Sequence, residues 1–88
     1  MSKQQIGEEI EVEDFSLTYF ITKTEMVFEG EKHSTYGIEI IKQSLSQIEK
    51  AKVEDITTDK VKIERIVNCI KENIVTPIHL YEVIENFL

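Results

Sequence analysis

The sequence predicts an α+β domain: an antiparallel meander of three to four strands with two C-terminal helices packed on one face. Three observations predict it. Residues 15–22 alternate, with Phe15, Leu17, Tyr19 and Ile21 apolar and the residues between them polar apart from Phe20, the period of a half-buried strand. In the last third, Ile63, Ile66, Val67, Ile70 and Ile74 recur at the helical period on one narrow stripe. All strand-like segments precede all helix-like ones, the order of an α+β chain rather than a βαβ one.

At 88 residues the chain is one small domain. Residues 1–7 carry almost no apolar pattern and are expected to be a disordered tail. Residues 8–54 read mainly as strands, and 57–88 as two helices. Ile10 and Val12 are apolar on even positions, whereas Phe15 onwards is apolar on odd ones. A strand cannot change face without an extra residue, so a bulge or a break is expected at Glu13-Asp14. Glu25 to Glu29 reads as a short second strand reached through a tight connection at Thr22-Lys23-Thr24, and Gly30 suits a polar hairpin loop. Ser34 to Lys42 forms a third strand with Tyr36, Ile38 and Ile40 on one face. Gly37, inside that strand, marks a bulge or a close neighbour. Residues 43–54 fit both a fourth strand and a helix. The strand extends the meander and is the reading taken, with the helix left open.

The helical segments carry their own punctuation. Ile56-Thr57-Thr58-Asp59 offers N-cap residues for the first. Thr76-Pro77 opens the second, with Pro at the first helical position, where its missing N–H costs nothing. Leu80, Val83, Ile84 and Phe87 form its apolar stripe, flanked by Tyr81 and Leu88.

Seventeen acidic residues against ten basic give a net charge of -7. Nucleic-acid binding needs a basic face, so no nucleic-acid partner is expected. Glu8, Glu9, Glu11, Glu13 and Asp14 form the densest acidic stretch and read as a solvated face. No apolar run approaches the ~20 residues that span a bilayer, and no secretory leader is visible, so no membrane partner and a cytoplasmic location are expected. The single cysteine agrees with a reducing compartment.

No cofactor, metal or catalytic constellation is read from the residues. The histidines, His33 and His79, lie far apart without zinc-ligand spacing, and no phosphate-binding glycine loop is present. Cys69 shares a helix flank with Lys62, Arg65 and Asn73. Cations there favour a thiolate, while a small buried hydrophobe is the plainer account. His79 falls one turn before Glu82, where a structural pairing at i, i+3 is expected.

Tyr36-Gly37-Ile38-Glu39-Ile40, Asp55-Ile56-Thr57-Thr58-Asp59 and Thr76-Pro77-Ile78-His79-Leu80-Tyr81-Glu82-Val83-Ile84-Glu85 resemble a family of small uncharacterised proteins from Gram-positive, clostridial-type bacteria. The resemblance spans roughly residues 8–88. It implies a single bacterial cytoplasmic domain of unknown function and assigns no site residue.

Function is therefore open at this level. The leading expectation is a protein-interaction or regulatory module without catalytic activity. A core this small gives a thin margin of stability, which association reinforces. Phe20, Val27 and Ile41 are apolar residues assigned to the outer sheet face and form a candidate interface. A homodimer or a protein partner follows from that patch or from an open sheet edge. The alternative is a small-molecule-binding domain with a pocket between sheet and helices near His79 and Tyr36.

Overall fold

The computed structural model describes residues 2–87. The strands are β1 (Ser2–Gln5), β2 (Ile10–Val12), β3 (Phe15–Phe28), β4 (Glu31–Ser44) and β5 (Ile48–Thr57); α1 (Lys60–Glu72), a 3-10 turn (Pro77–His79) and α2 (Leu80–Glu85) follow. The sheet is antiparallel throughout, in the order β1-β3-β4-β5, with β2 also paired to β3. The α+β architecture is as the sequence predicts, with the helices on one face. Residues 43–54 are strand and turn, not helix.

The core forms where the odd residues of β3 and the even residues of β4 face the helices. Leu17, Tyr19 and Ile21 meet Ile38 and Ile40 across the β3–β4 ladder, and Ile63, Ile66, Val67 and Ile70 of α1 close over them with Leu80 and Ile84 of α2. Each such side chain gains about 1.5–3 kcal/mol by leaving water. Helix α1 starts where Asp59 Oδ1 accepts from the N–H groups of Val61 and Lys62 at 2.9 and 3.2 Å, a cap of about 1 kcal/mol. It ends in a Schellman motif: Val75 N–H donates to Ile70 O and Ile74 N–H to Lys71 O, with Ile74 at φ 51°. Ile74 thereby leaves the helical stripe on which its spacing had placed it and is 45% exposed. The Tyr19 hydroxyl donates to Val75 O at 2.9 Å in the interior, which ties the inter-helix turn to the sheet. Burial holds the Tyr19 phenol neutral and pushes its pKa up to about 12.

Several expectations are corrected. Residues 2–5 are not a tail but strand β1, paired with Lys23 to Phe20 of β3. Pairing here is a main-chain matter, so the polar sequence Ser2-Lys3-Gln4-Gln5 hides it. Strands β1 and β2 form one edge interrupted by a bulge, where Gln5 opposes Phe20 and Ile10 opposes Leu17. Gly7, at φ 72°, lies in that bulge. The break at Glu13-Asp14 is a tight hairpin turn, since Val12 pairs with Phe15. No connection forms at Thr22-Lys23-Thr24. Those residues have no glycine, proline or asparagine to turn the chain, β-branched threonine favours extended backbone, and β3 continues to Phe28. The segment after Thr76 begins as a 3-10 turn, and the α-helix proper is only six residues long. Leu88, assigned to that helix's flank, lies outside the described residues.

Gly37 carries the one close backbone approach. The β4–β5 register shifts between Tyr36 and Ile38, so that Ile38 pairs with Val53 but Tyr36 pairs with Thr57. The extra residues of β5 include Asp55 at φ 55° and fold over Gly37. A Cβ at Gly37 would press on the Val53 carbonyl and lie 2.7 Å from Thr22 Oγ1 and 2.8 Å from Glu54 Cα. Thr22, on the sheet face away from the helices, is only 1% exposed as a consequence.

Candidate functional site

The main departure from a closed domain is an arm. Strands β3 and β4 pair one-to-one from Phe15–Ser44 to Phe28–Glu31 without interruption. Among the described residues their neighbours reach less far: β1 is paired from Ser2, opposite Lys23, and β5 stops opposite Tyr36, and Lys23 and Tyr36 are themselves partners. Ser2, Lys23, Tyr36 and Thr57 thus form the last described row of the four-stranded part of the sheet. Beyond it, residues 24–28 and 31–35 continue as a two-stranded ribbon of five residue pairs, ~17 Å long at the usual strand rise. The molecule measures 49 × 24 × 20 Å, the long dimension of a domain with a projecting element.

The arm closes through Glu29 and Gly30 at φ 52° and 80°. Positive φ at both central residues is the type I′ turn, whose twist matches that of the flanking strands. Just before the turn, Met26, Val27 and Phe28 are 47%, 70% and 67% exposed. Glu25, Lys32 and His33 surround them, and the Lys23–Glu25 pair at 3.8 Å lies at the base.

The arm's two edges differ chemically. The β4 edge reads Glu31-Lys32-His33-Ser34-Thr35 and is polar throughout, with the lysine that commonly guards an exposed edge. The β3 edge reads Thr24-Glu25-Met26-Val27-Phe28 and has no such guard. On β3 the main-chain carbonyls of odd residues point toward the β1 side, as Ile6 N–H donating to Tyr19 O at 2.8 Å shows. Alternation along the strand then turns the N–H and C=O groups of Glu25 and Val27 outward. Among the described residues no strand pairs with this edge.

The three-residue patch expected on the outer face does not assemble. Phe20 and Ile41 are there as diagonal neighbours, with Phe20 opposite Glu39 and Thr18 opposite Ile41. Lys3 lies over the Phe20 ring at 4.5 Å and pairs with Glu39 at 2.9 Å, so a salt-bridged lysine roofs the phenylalanine. Val27 is elsewhere. With β3 continuous it shares the odd positions of Leu17 and Tyr19, on the opposite face from Phe20, near the arm's tip. The signal that sequence reading passed over was the unbroken run Met26-Val27-Phe28 immediately before Glu29-Gly30, which marks an apolar hairpin tip.

The other candidates stand apart from one another. Cys69 is half-buried, and its sulfur has the Asn73 amide at 3.5 Å; that amide also donates to Cys69 O at 2.8 Å. His79 Nδ1 lies 3.3 Å from Glu82 Oε2, with both side chains largely exposed. His33 faces Glu31 at 3.9 Å on the arm. No group of three or more potential metal ligands occurs among the described residues. A groove of about 450 Å³ opens between β1 and the first half of α1, with Ile6, Ile21, Tyr36 and Val67 below and Lys23 and Lys60 at its sides. Tyr36 therefore borders a concavity, but His79 does not line it, and the space between the sheet and the second helix is filled by Leu80 and Ile84. No helix is long and apolar enough to cross a membrane among the described residues.

The model of a family of unknown function, DUF6514, covers residues 1–88, and the chain belongs to that family. No curated protein and no solved structure matches it.

Proposed function

We propose that this chain is a small protein-interaction module without catalytic chemistry of its own, and that its contact element is the β-arm of residues 24–35. The observation that carries this reading is the arm itself: five residue pairs beyond the sheet, tipped by exposed Met26, Val27 and Phe28. A two-stranded ribbon is marginal alone in water. Large apolar side chains exposed on both faces of its end serve a protein contact better than solvent. The separate engagement of Cys69 by Asn73 and of His79 by Glu82 supports a role that uses neither as a nucleophile or base. The single thiol suits the reducing cytoplasm, which we take as its compartment.

Site-specific cross-linking in the native cell tests the assignment. A photoreactive amino acid in place of Val27 is expected to give discrete protein adducts. The same group in place of Val61, which is 59% exposed on the outer side of α1, is expected to give none. Equal labelling at both positions, or none at Val27, removes the arm as the contact element.

A further inference from the structure

We infer that the groove between β1 and the first half of α1 is a binding site for a small monocarboxylate with an apolar body, held by Lys60 and Lys23 over a floor of Ile21, Val67 and Tyr36. The site is separate from the apolar tip of the arm and does not rest on the arm's role.

The residues themselves leave this gap open. On the helix-facing side of the sheet, Ile21 and Ile38 give way toward the arm to Lys23 and Tyr36, and β1 sets only the polar Gln4 opposite Ile21. Helix α1 borders the groove with Lys60, Glu64, Val67 and Asn68, positions i, i+4, i+7 and i+8 of one helical flank. Val67 alone of these is apolar, and it is spent in the core. No apolar side chain is left to close the space between helix and strand. The remaining volume, about 450 Å³, falls in the ~300–1,000 Å³ range of small-molecule sites. The floor and both cationic walls lie among the described residues.

Charge selects the ligand. The chain carries a net charge of -7, yet Lys3, Lys23 and Lys60 border the groove against one carboxylate, Glu64. The Lys3 ammonium is committed, since it pairs with Glu39 at 2.9 Å over the Phe20 ring on the other sheet face. Lys23 is held only loosely by the exposed Glu25 at 3.8 Å, a contact of little worth. Lys60 has no ion-pair partner among the described residues. It is the first residue of α1, where the helix dipole adds to its positive field, and the neighbouring Asp59 carboxylate is turned to the N–H groups of Val61 and Lys62. Two available ammonium groups against Glu64 suit a monoanion, whereas a phosphate dianion would set its second charge against that carboxylate. The half-buried Tyr36 adds a hydroxyl without a hydrogen-bond partner among the described residues, a donor for a carboxylate oxygen. The chain's overall negative charge opposes anions in general, so the ammonium contacts alone do not retain one. Apolar surface placed on Ile21 and Val67 supplies the rest of the affinity, which is why the ligand is amphiphilic and not a simple inorganic anion.

Titration of cinnamate into the isotope-labelled full chain, followed by amide shifts, tests the site. Saturable shifts are expected at Gln4, Ile21, Tyr36, Val67 and Asn68, with half-saturation below about 2 mM, which a body of this size reaches at ordinary ligand efficiency. The neutral cinnamamide should bind at least about threefold more weakly, and Lys60→Gln should weaken cinnamate by a similar factor. Glu64→Gln, which removes the opposing carboxylate, should tighten it. Lys62→Gln, on the same helix but off the groove, should change nothing. Absence of saturable shifts, or shifts centred on Met26 to Phe28, overturns the site. Equal affinity for cinnamamide, or no effect of Lys60→Gln, overturns the anionic class. Inorganic phosphate that reproduces the same shifts at the same concentration overturns the apolar body.

Discussion

Replacing Gly37 by alanine asks whether the β5 bulge truly folds over β4. Gly37 needs no unusual φ; what it supplies is the absence of a side chain. An added Cβ would be pressed against the Val53 carbonyl and would stand 2.7 Å from Thr22 Oγ1 and 2.8 Å from Glu54 Cα. Two of these three neighbours are backbone. Ordinary carbon contacts begin near ~3.5 Å, so the bulge must lift by most of an ångström. That movement disturbs the adjoining Tyr36–Thr57 and Ile38–Val53 pairs. Overpacking of this kind costs about 1–3 kcal/mol, occasionally more, and the backbone share of the clash places Gly37→Ala near the top of that range. For a domain of this size each kcal/mol lowers Tm by roughly 4–8 °C, which gives a fall of about 10–20 °C. Thermal unfolding by circular dichroism reads it directly. Gly30→Ala is the matched control: nothing lies within 4 Å of a Cβ there, and only its φ of 80° is unfavourable, so its cost is limited to about 1–2 kcal/mol. A Gly37→Ala protein that melts within a few degrees of wild type, or no lower than Gly30→Ala, would refute the close approach.

Two further substitutions probe other parts of the fold. Tyr19→Phe leaves the Val75 carbonyl without its buried donor and is expected to cost about 1–2 kcal/mol by chemical denaturation. In the wild type the unfolded phenol ionises near pH 10 while the buried one keeps its proton to about 12; stability is full below pH 10 and falls as pH rises through 12, a component that Tyr19→Phe should lack. Glu29→Asn exchanges an exposed residue at φ 52° for one that tolerates that backbone, in the favoured Asn-Gly turn. It should stabilise the arm by about 0.5–1 kcal/mol, seen as amide exchange roughly two- to fivefold slower in residues 25–34.

Much of the body of the fold was legible because it obeys simple periods. Leu17, Tyr19 and Ile21 alternate, Ile63, Ile66, Val67 and Ile70 repeat at helical spacing, and Gly37 announced a close neighbour. What escaped depends on main-chain pairing between distant segments. Ser2-Lys3-Gln4-Gln5 has no apolar alternation, and its place beside β3 comes from hydrogen-bonding groups that every residue carries. The bulge over Gly37 depends on Asp55 adopting a left-handed backbone, to which aspartate gives only a weak cue. The arm was missed through one local decision. Reading Thr22-Lys23-Thr24 as a turn split β3 in two and reversed the face assigned to Val27. A continuous strand puts Phe20 and Val27 on opposite faces, and the supposed patch dissolves into a roofed phenylalanine and an apolar tip.

The boundary between body and arm has a physical consequence. It falls at the row Ser2, Lys23, Tyr36 and Thr57, and helix α1 begins two residues after Thr57 with the Asp59 cap. Inward of that row, every strand is flanked by another strand or covered by a helix. Outward of it, beyond Thr35, which is still buried at the base, the ribbon has little but its own residue pairs and a favourable turn. Local opening in such a segment takes far less free energy than opening the body. Contact at the arm therefore also orders the ribbon that makes it. The ordering cost lowers the affinity of a contact made this way, so a change that steadies the arm without touching its edge should tighten association. Glu29→Asn is such a change, because Glu29 sits in the turn and not on a paired rung. It should slow arm exchange and raise the yield of the Val27 cross-link together; slower exchange with a lower cross-link yield would refute the idea that ordering the ribbon limits the contact.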